Sequence, residues 1–118
     1  MSIFKDEKRF ACRANAPHVC DPDIKDLSFQ VPDWKLIAED NVRKLERSFR
    51  FSNFKKAMFF TQAVGGLAEE EGHYPRLVTE WGRVTVIWWT HKIKDLDLHR
   101  NDYIMARKAN RLFLSFSS

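Results

Sequence analysis

Two cysteines, four glycines and four prolines are the whole supply of residues that staple, loosen or break this 118-residue chain. Cys12 and Cys20 stand near the N-terminus with no second pair. They can complete neither a disulfide framework nor a four-ligand zinc site, and a reducing compartment is the simpler expectation. Uncharged runs are short: none approaches the roughly 18 residues of a membrane span, and the opening MSIFKDEKRF lacks an apolar secretory core. A cytoplasmic protein without membrane association is expected. Charge of one sign is scarce too, since 20 Lys and Arg against 16 Asp and Glu leave only +4, which permits an anionic ligand but is far from a basic tail. Arg43, Arg47 and Arg50 are interleaved with acids, which sets direct nucleic-acid binding aside. There is no HExxH or paired-cysteine spacing and no GxSxG elbow, and GGLAEEEG lacks the GxGxxG spacing of a phosphate cradle. No metal and no cofactor are expected.

Aromatic side chains are abundant instead: ten Phe, four Trp and two Tyr can fill a core without help from disulfides. The length suits one domain over residues 21–118, preceded by an irregular arm over 1–20 that lacks periodicity. Asp21 and Pro22 open a short helix that Pro32 ends. WKLIA from Trp34 and VRKLERSFRF from Val42 read as strands joined by a turn at Glu39, Asp40 and Asn41. Along the second, Leu45, Phe49 and Phe51 face one side and Lys44, Glu46, Ser48 and Arg50 the other. Ser52 or Asn53 caps a long helix that runs to Glu71, with Phe54, Ala57, Met58, Val64, Leu67 and Ala68 at helical spacing and Gly72 as the stop. Gly65 and Gly66 within it suggest either a close backbone approach or a tolerated defect. Glu69, Glu70 and Glu71 crowd the negative end of its dipole, where cations would be preferred, which fits either a solvated acidic end or a carboxylate needed near a site. A third strand, Leu77 to Trp81, turns at Gly82 and Arg83 into a fourth, Val84 to Thr90, whose two faces are both apolar. One layer of helices would leave one of those faces bare, so a homo-oligomer is expected. A last helix runs from about His99 or Asn101 to Phe113, with Asp97 or Asn101 as its cap.

His73 and His91 lie nine residues before and after Gly82. If the hairpin is symmetric about Gly82, the two imidazoles meet at its open end, where paired positions are about 4.5 to 5.5 Å apart. Two histidines beside an acidic helix terminus suit proton transfer near neutral pH, one donating while the other accepts.

The run EEEGHYP, then Trp81, His91 and Asp102, resembles the pterin-4a-carbinolamine dehydratase family over most of the chain. Glu69, His73, Pro75, Trp81, His91 and Asp102 fit successive steps of its signature. Trp34 and RSFRFSNFKKAMFFTQAVGGLAE resemble its second strand and central helix. The resemblance implies an α+β fold, a four-stranded antiparallel sheet with about three helices on one face, assembled as a homodimer or homotetramer. It implies dehydration of 4a-hydroxytetrahydropterin to quinonoid dihydropterin, recycling the cofactor of aromatic amino acid hydroxylases, with phenylalanine hydroxylase as a pathway partner. His73 and His91 would be catalytic. Glu69 and Tyr74 would orient the pterin, aided by Pro75, the backbone near Thr90 and an aromatic such as Trp81, while Asp102 would orient a histidine or cap the last helix. Tyr74 departs from the His or Asn usual at its place, and keeps a hydroxyl able to hydrogen-bond a pterin edge. The family also includes dimerisation cofactors of a transcription factor, so a non-catalytic interaction module is the alternative.

Overall fold

The computed structural model describes residues 21–91 and 97–116, so the arm 1–20, with Cys12 and Cys20, lies outside the described residues. Along them run α1 (Asp21–Gln30), β1 (Lys35–Glu39), β2 (Val42–Arg50), α2 (Phe54–Glu71), β3 (Arg76–Glu80), β4 (Arg83–Trp88) and α3 (Arg100–Phe116). The strands form one antiparallel sheet in the order β1-β2-β4-β3. The fold is therefore α+β, as expected. No described helix is long and apolar enough to cross a membrane.

Local chemistry accounts for the element ends. Asn53, in extended conformation, caps α2 by accepting from Lys56 N–H at 2.8 Å. Gly72, at φ +67°, ends the helix in the left-handed conformation that lacks a Cβ penalty, and His73 N–H then reaches back to the Ala68 carbonyl at 3.1 Å. The β1–β2 turn is shorter than expected. Glu39 pairs with Val42 inside the ladder, leaving only Asp40 and Asn41 in the turn, both with positive φ, as a two-residue hairpin loop requires. A Cβ at Gly65 or Gly66 would meet nothing within 4 Å among the described residues, so no described segment makes a close approach there. The crowded glycine is Gly82, where a Cβ would lie 3.0 Å from the Phe51 carbonyl.

The helices pack on one sheet face. Leu45 and Phe49 of β2 and Val84, Val86 and Trp88 of β4 share a core with Ala57, Phe60 and Val64 of α2 and Tyr103, Ala106 and Ala109 of α3. Phe60, fully buried, is the aromatic centre of the inner face of α2, whereas Phe54 is 48% exposed. Phe60 packs on Phe49 and Phe51, which also meet Phe113. Asn110 ties α3 to the sheet by accepting from Trp34 Nε1 at 2.8 Å and Arg47 Nη1 at 2.6 Å.

Arg43 shares the inner face with Leu45 and is buried against Asp97, the two side chains being 5% exposed. Of Arg43, Arg47 and Arg50, the first two thus point inward. The outer face of β4 is largely covered by the chain itself. Ile87 is 2% exposed between its register partners Glu46 and Arg76, and the Lys44 ammonium sits 4.0 Å over the Trp89 ring. Long polar side chains thus flank the apolar residues on the outer face of β4, though Val78, opposite Thr85, stays 43% exposed.

Phe60→Ala should cost about 3–5 kcal/mol in urea unfolding, the range for truncating a buried Phe among rigid neighbours. The Asp97 carboxyl is pushed up by burial, but the hydrogen bonds and charge of Arg43 outweigh this and hold it below its ordinary 3.8. A lowered folded-state value means stability that is present above the ordinary value and lost as pH falls through the folded one. Asp97→Asn should therefore be less stable at neutral pH, with a shallower loss of stability below about pH 4.

Candidate active site

Three elements deliver side chains to one buried carboxylate. Asp102 lies in the first turn of α3 and is 0% exposed. Its Oδ2 accepts from His99 N–H at 2.8 Å, the reach-back of an acidic third helical residue to the capping position. The same oxygen accepts from the Thr90 hydroxyl at 3.1 Å, just beyond β4. Oδ1 lies 2.5 Å from Nε2 of His73, in the segment joining α2 to β3. An ionised carboxylate can only accept, so with Asp102 charged the Nε2 of His73 carries the proton of this bond and Nδ1 is the ring nitrogen left for other partners. Asp102 therefore caps the helix and orients a histidine together. The caps expected at Asp97 or Asn101 give way to His99.

The imidazole of His73 stacks on Trp88 with centroids 5.8 Å apart, and its side chain is 16% exposed. His91, one residue after Thr90, is exposed and stacks on Trp89 at 4.3 Å. Successive strand residues face opposite sides, so each histidine rests on a different tryptophan. Symmetry about Gly82 is not the register found: Glu80 pairs with Arg83, so the hairpin turns on Trp81 and Gly82 together. Continued outward, that register sets His73 opposite Thr90. An even-membered turn moves the pivot between two residues, and a one-residue slip exchanges the facing side chain. His73 and Thr90 accordingly share Asp102.

Beside this group, the Tyr74 hydroxyl donates to Glu69 Oε1 at 3.1 Å, a hydrogen bond that raises the phenol above its ordinary value. Pro75 follows directly and precedes the first residue of β3, the place in a strand that tolerates a missing N–H. The acidic end of α2 is relieved by neighbours, since Lys108 Nζ reaches Glu71 at 2.7 Å and Tyr74 engages Glu69. Trp81 is not brought to the group. It sits 68% exposed at the turn, a strand length of about 17 Å from the open end.

On the outer side, Trp89 lies under Lys44 and 6.0 Å from the Arg76 guanidinium, and Glu39 bridges those cations at 2.8 and 3.7 Å. The Lys44 hydrogen bond and charge hold Glu39 below the usual carboxylate range. Among the described residues no three His, Cys, Asp or Glu side chains converge as a metal-binding group. The Arg43–Asp97 pair and the Trp88 stack were missed in the sequence. The alternation that buries Leu45 also buries Arg43, and that was the available signal for the first.

A family model described as pterin 4 alpha carbinolamine dehydratase matches residues 18–112. A Nitrosococcus oceani protein, provisionally named pterin-4-alpha-carbinolamine dehydratase, is 55% identical over 102 residues, covering 86% of this chain and 88% of that one. The crystal structure of a transcriptional coactivator/pterin dehydratase from Brucella melitensis superposes with TM-score 0.70 at 25% identity, over 80% of this chain and 97% of the other. A pterin dehydratase-like protein described as a RuBisCO assembly factor in the alpha-carboxysome shares the fold alone. Its TM-score is 0.55 at 18% identity, over 68% of this chain and 88% of that one. The His–Asp–Thr group around buried Asp102 thus sits in a chain whose match spans both histidines and Asp102, and the chain belongs to the pterin 4 alpha carbinolamine dehydratase family.

Proposed function

We propose that the chain dehydrates 4a-hydroxytetrahydropterin to quinonoid dihydropterin, a hydro-lyase reaction that recycles the cofactor of aromatic amino acid hydroxylases, phenylalanine hydroxylase among them. The C4a–O bond breaks, the hydroxyl leaves as water after taking a proton, and the N5 proton is removed as the C4a–N5 double bond forms. One proton donor and one acceptor are required, and imidazole is the side chain that changes protonation nearest neutrality.

The observation that carries this reading is the His73–Asp102–Thr90 group, one residue from His91. Asp102 holds the Nε2 proton of His73, so Nδ1 exchanges the proton with substrate. His91, exposed on Trp89, serves the other transfer and exchanges with solvent. Tyr74 donates to Glu69 and keeps oxygen lone pairs that accept from a pterin N–H, so Glu69 and Tyr74 orient the ring together. Pro75 and the Thr90 backbone line the same end of the hairpin. Trp81, at the opposite end of the hairpin, is left without a role in this reading.

A second reading, a non-catalytic interaction module in the cytoplasm, draws support from the Brucella protein's description as a coactivator. Exposed large apolar side chains, among them Phe29, Phe54, Phe59 and Leu114, would suit it as well. The same side chains now support a homodimer or homotetramer in place of the self-covered outer face of β4.

In a coupled assay on freshly generated 4a-carbinolamine, His73→Ala and His91→Ala should each lower kcat about 10²- to 10⁴-fold. Tyr74→His should lower KM with little change in kcat, because a group that only holds substrate acts alike on ground and transition states. An inert parent chain switched on by Tyr74→His would replace the dehydratase reading with the interaction module. Light scattering at micromolar concentration should give a multiple of the 14.0 kDa chain mass, and a stable monomer would contradict the oligomer.

A further inference from the structure

Desolvating a guanidinium and a carboxylate together is costly, and buried ion pairs can often be replaced by apolar residues of similar volume at no loss of stability. The Arg43–Asp97 pair, with both side chains 5% exposed, is therefore weakly explained by stability alone. Its hydrogen bonds are more informative. Asp97 Oδ1 accepts from the Arg43 backbone N–H and from Nε, both at 3.1 Å, and Oδ2 accepts from Nη2 at 2.8 Å. The Asp97 carbonyl accepts from Thr90 N–H at 2.9 Å in an isolated antiparallel bridge. Continued past Leu45 and Trp88, the β2–β4 register would set Arg43 opposite Thr90. Instead Asp97 comes between the strands' ends, holding the Arg43 N–H with its side chain and the Thr90 N–H with its main chain.

Asp97 thus joins the start of β2 to the exit of β4, where His91 directly follows Thr90. One bond further, the hydroxyl of the Thr90 residue so anchored reaches the carboxylate that holds His73. Neither Arg43 nor Asp97 belongs to the group that would touch the pterin. We propose that this buried pair is a positioning device: Arg43, through Asp97, fixes the backbone of Thr90 and thereby places His91 and the Thr90–Asp102–His73 group for proton transfer. The proposal rests on the dehydratase reading. A bidentate planar fork suits this task, because it fixes the orientation of the carboxylate where a point charge would allow it to rotate.

The test is the double substitution Arg43→Met with Asp97→Leu, which removes both charges and keeps apolar bulk, compared with the parent in Tm, kcat, KM and the ring nitrogen resonances of His73 and His91 by NMR. The expected result is a Tm within a few degrees of the parent, kcat lowered at least about tenfold with KM nearly unchanged, and displaced resonances for both imidazoles. A folded double variant with parental kcat and parental imidazole resonances would overturn the proposal. Should that variant fail to fold, Asp97→Asn below its own Tm decides on the same readouts. Arg43→Lys, which keeps the charge and loses the fork, should not restore kcat, and full activity in it would also count against positioning. If the parent is inert on the carbinolamine, the dehydratase reading falls by itself, and the imidazole resonances alone judge whether the pair places the histidines.

Discussion

A single carboxylate with no exposure to solvent holds the candidate site to the fold. Buried acceptors are costly unless satisfied, and Asp102 meets that requirement with three donors from three parts of the chain: the cap of α3, the exit of β4 and the junction of α2 with β3. The dependence runs both ways. The helix end, the strand end and the histidine cannot move separately without leaving part of the carboxylate unpaired in the interior. A residue that looks like an ordinary acidic contribution to a helix N-terminus therefore also determines which nitrogen of His73 is available.

Around that centre, the two consecutive tryptophans of β4 and its exit divide the work. Trp88 faces the helices and floors His73, while Trp89 faces outward under Lys44 and carries His91. Charges near the site are matched locally: Glu39 with Lys44 and Arg76, Glu71 with Lys108, Glu69 with the Tyr74 hydroxyl. The acidic end of α2, unfavourable for the isolated helix, is thus offset by contacts that exist only after α3 and the α2–β3 junction pack beside it.

How legible each part was depends on the range of its cause. The ends of α2 follow from Asn53 and Gly72, whose effects act within four residues, and they appear where the pattern puts them. The alternation of β2 is equally local, and it carried the face of Arg43 as well as that of Leu45. The helical stripe of α2 was less complete, since periodicity counted Phe54, now exposed, and passed over the buried Phe60. The two mid-helix glycines illustrate the opposite limit: a residue without a Cβ signals a close approach only if a neighbour arrives, and at Gly65 and Gly66 none of the described residues does.

Composition and short-range spacing were enough to determine an α+β chain rich in buried aromatics, the order of its helices and strands, and the residues that ally it with the family. Those properties depend on neighbours within a helical turn or a strand pair, which the sequence states directly. The hairpin register was decided by the tertiary structure, because one residue more or less in a turn is nearly silent in sequence yet reverses every facing side chain. The same holds for the partners of Asp97 and Asp102, drawn from residues 54 and 29 positions away. A carboxylate's type can be read from the chain, but which donors reach it is settled only when packing brings distant segments within about 3 Å.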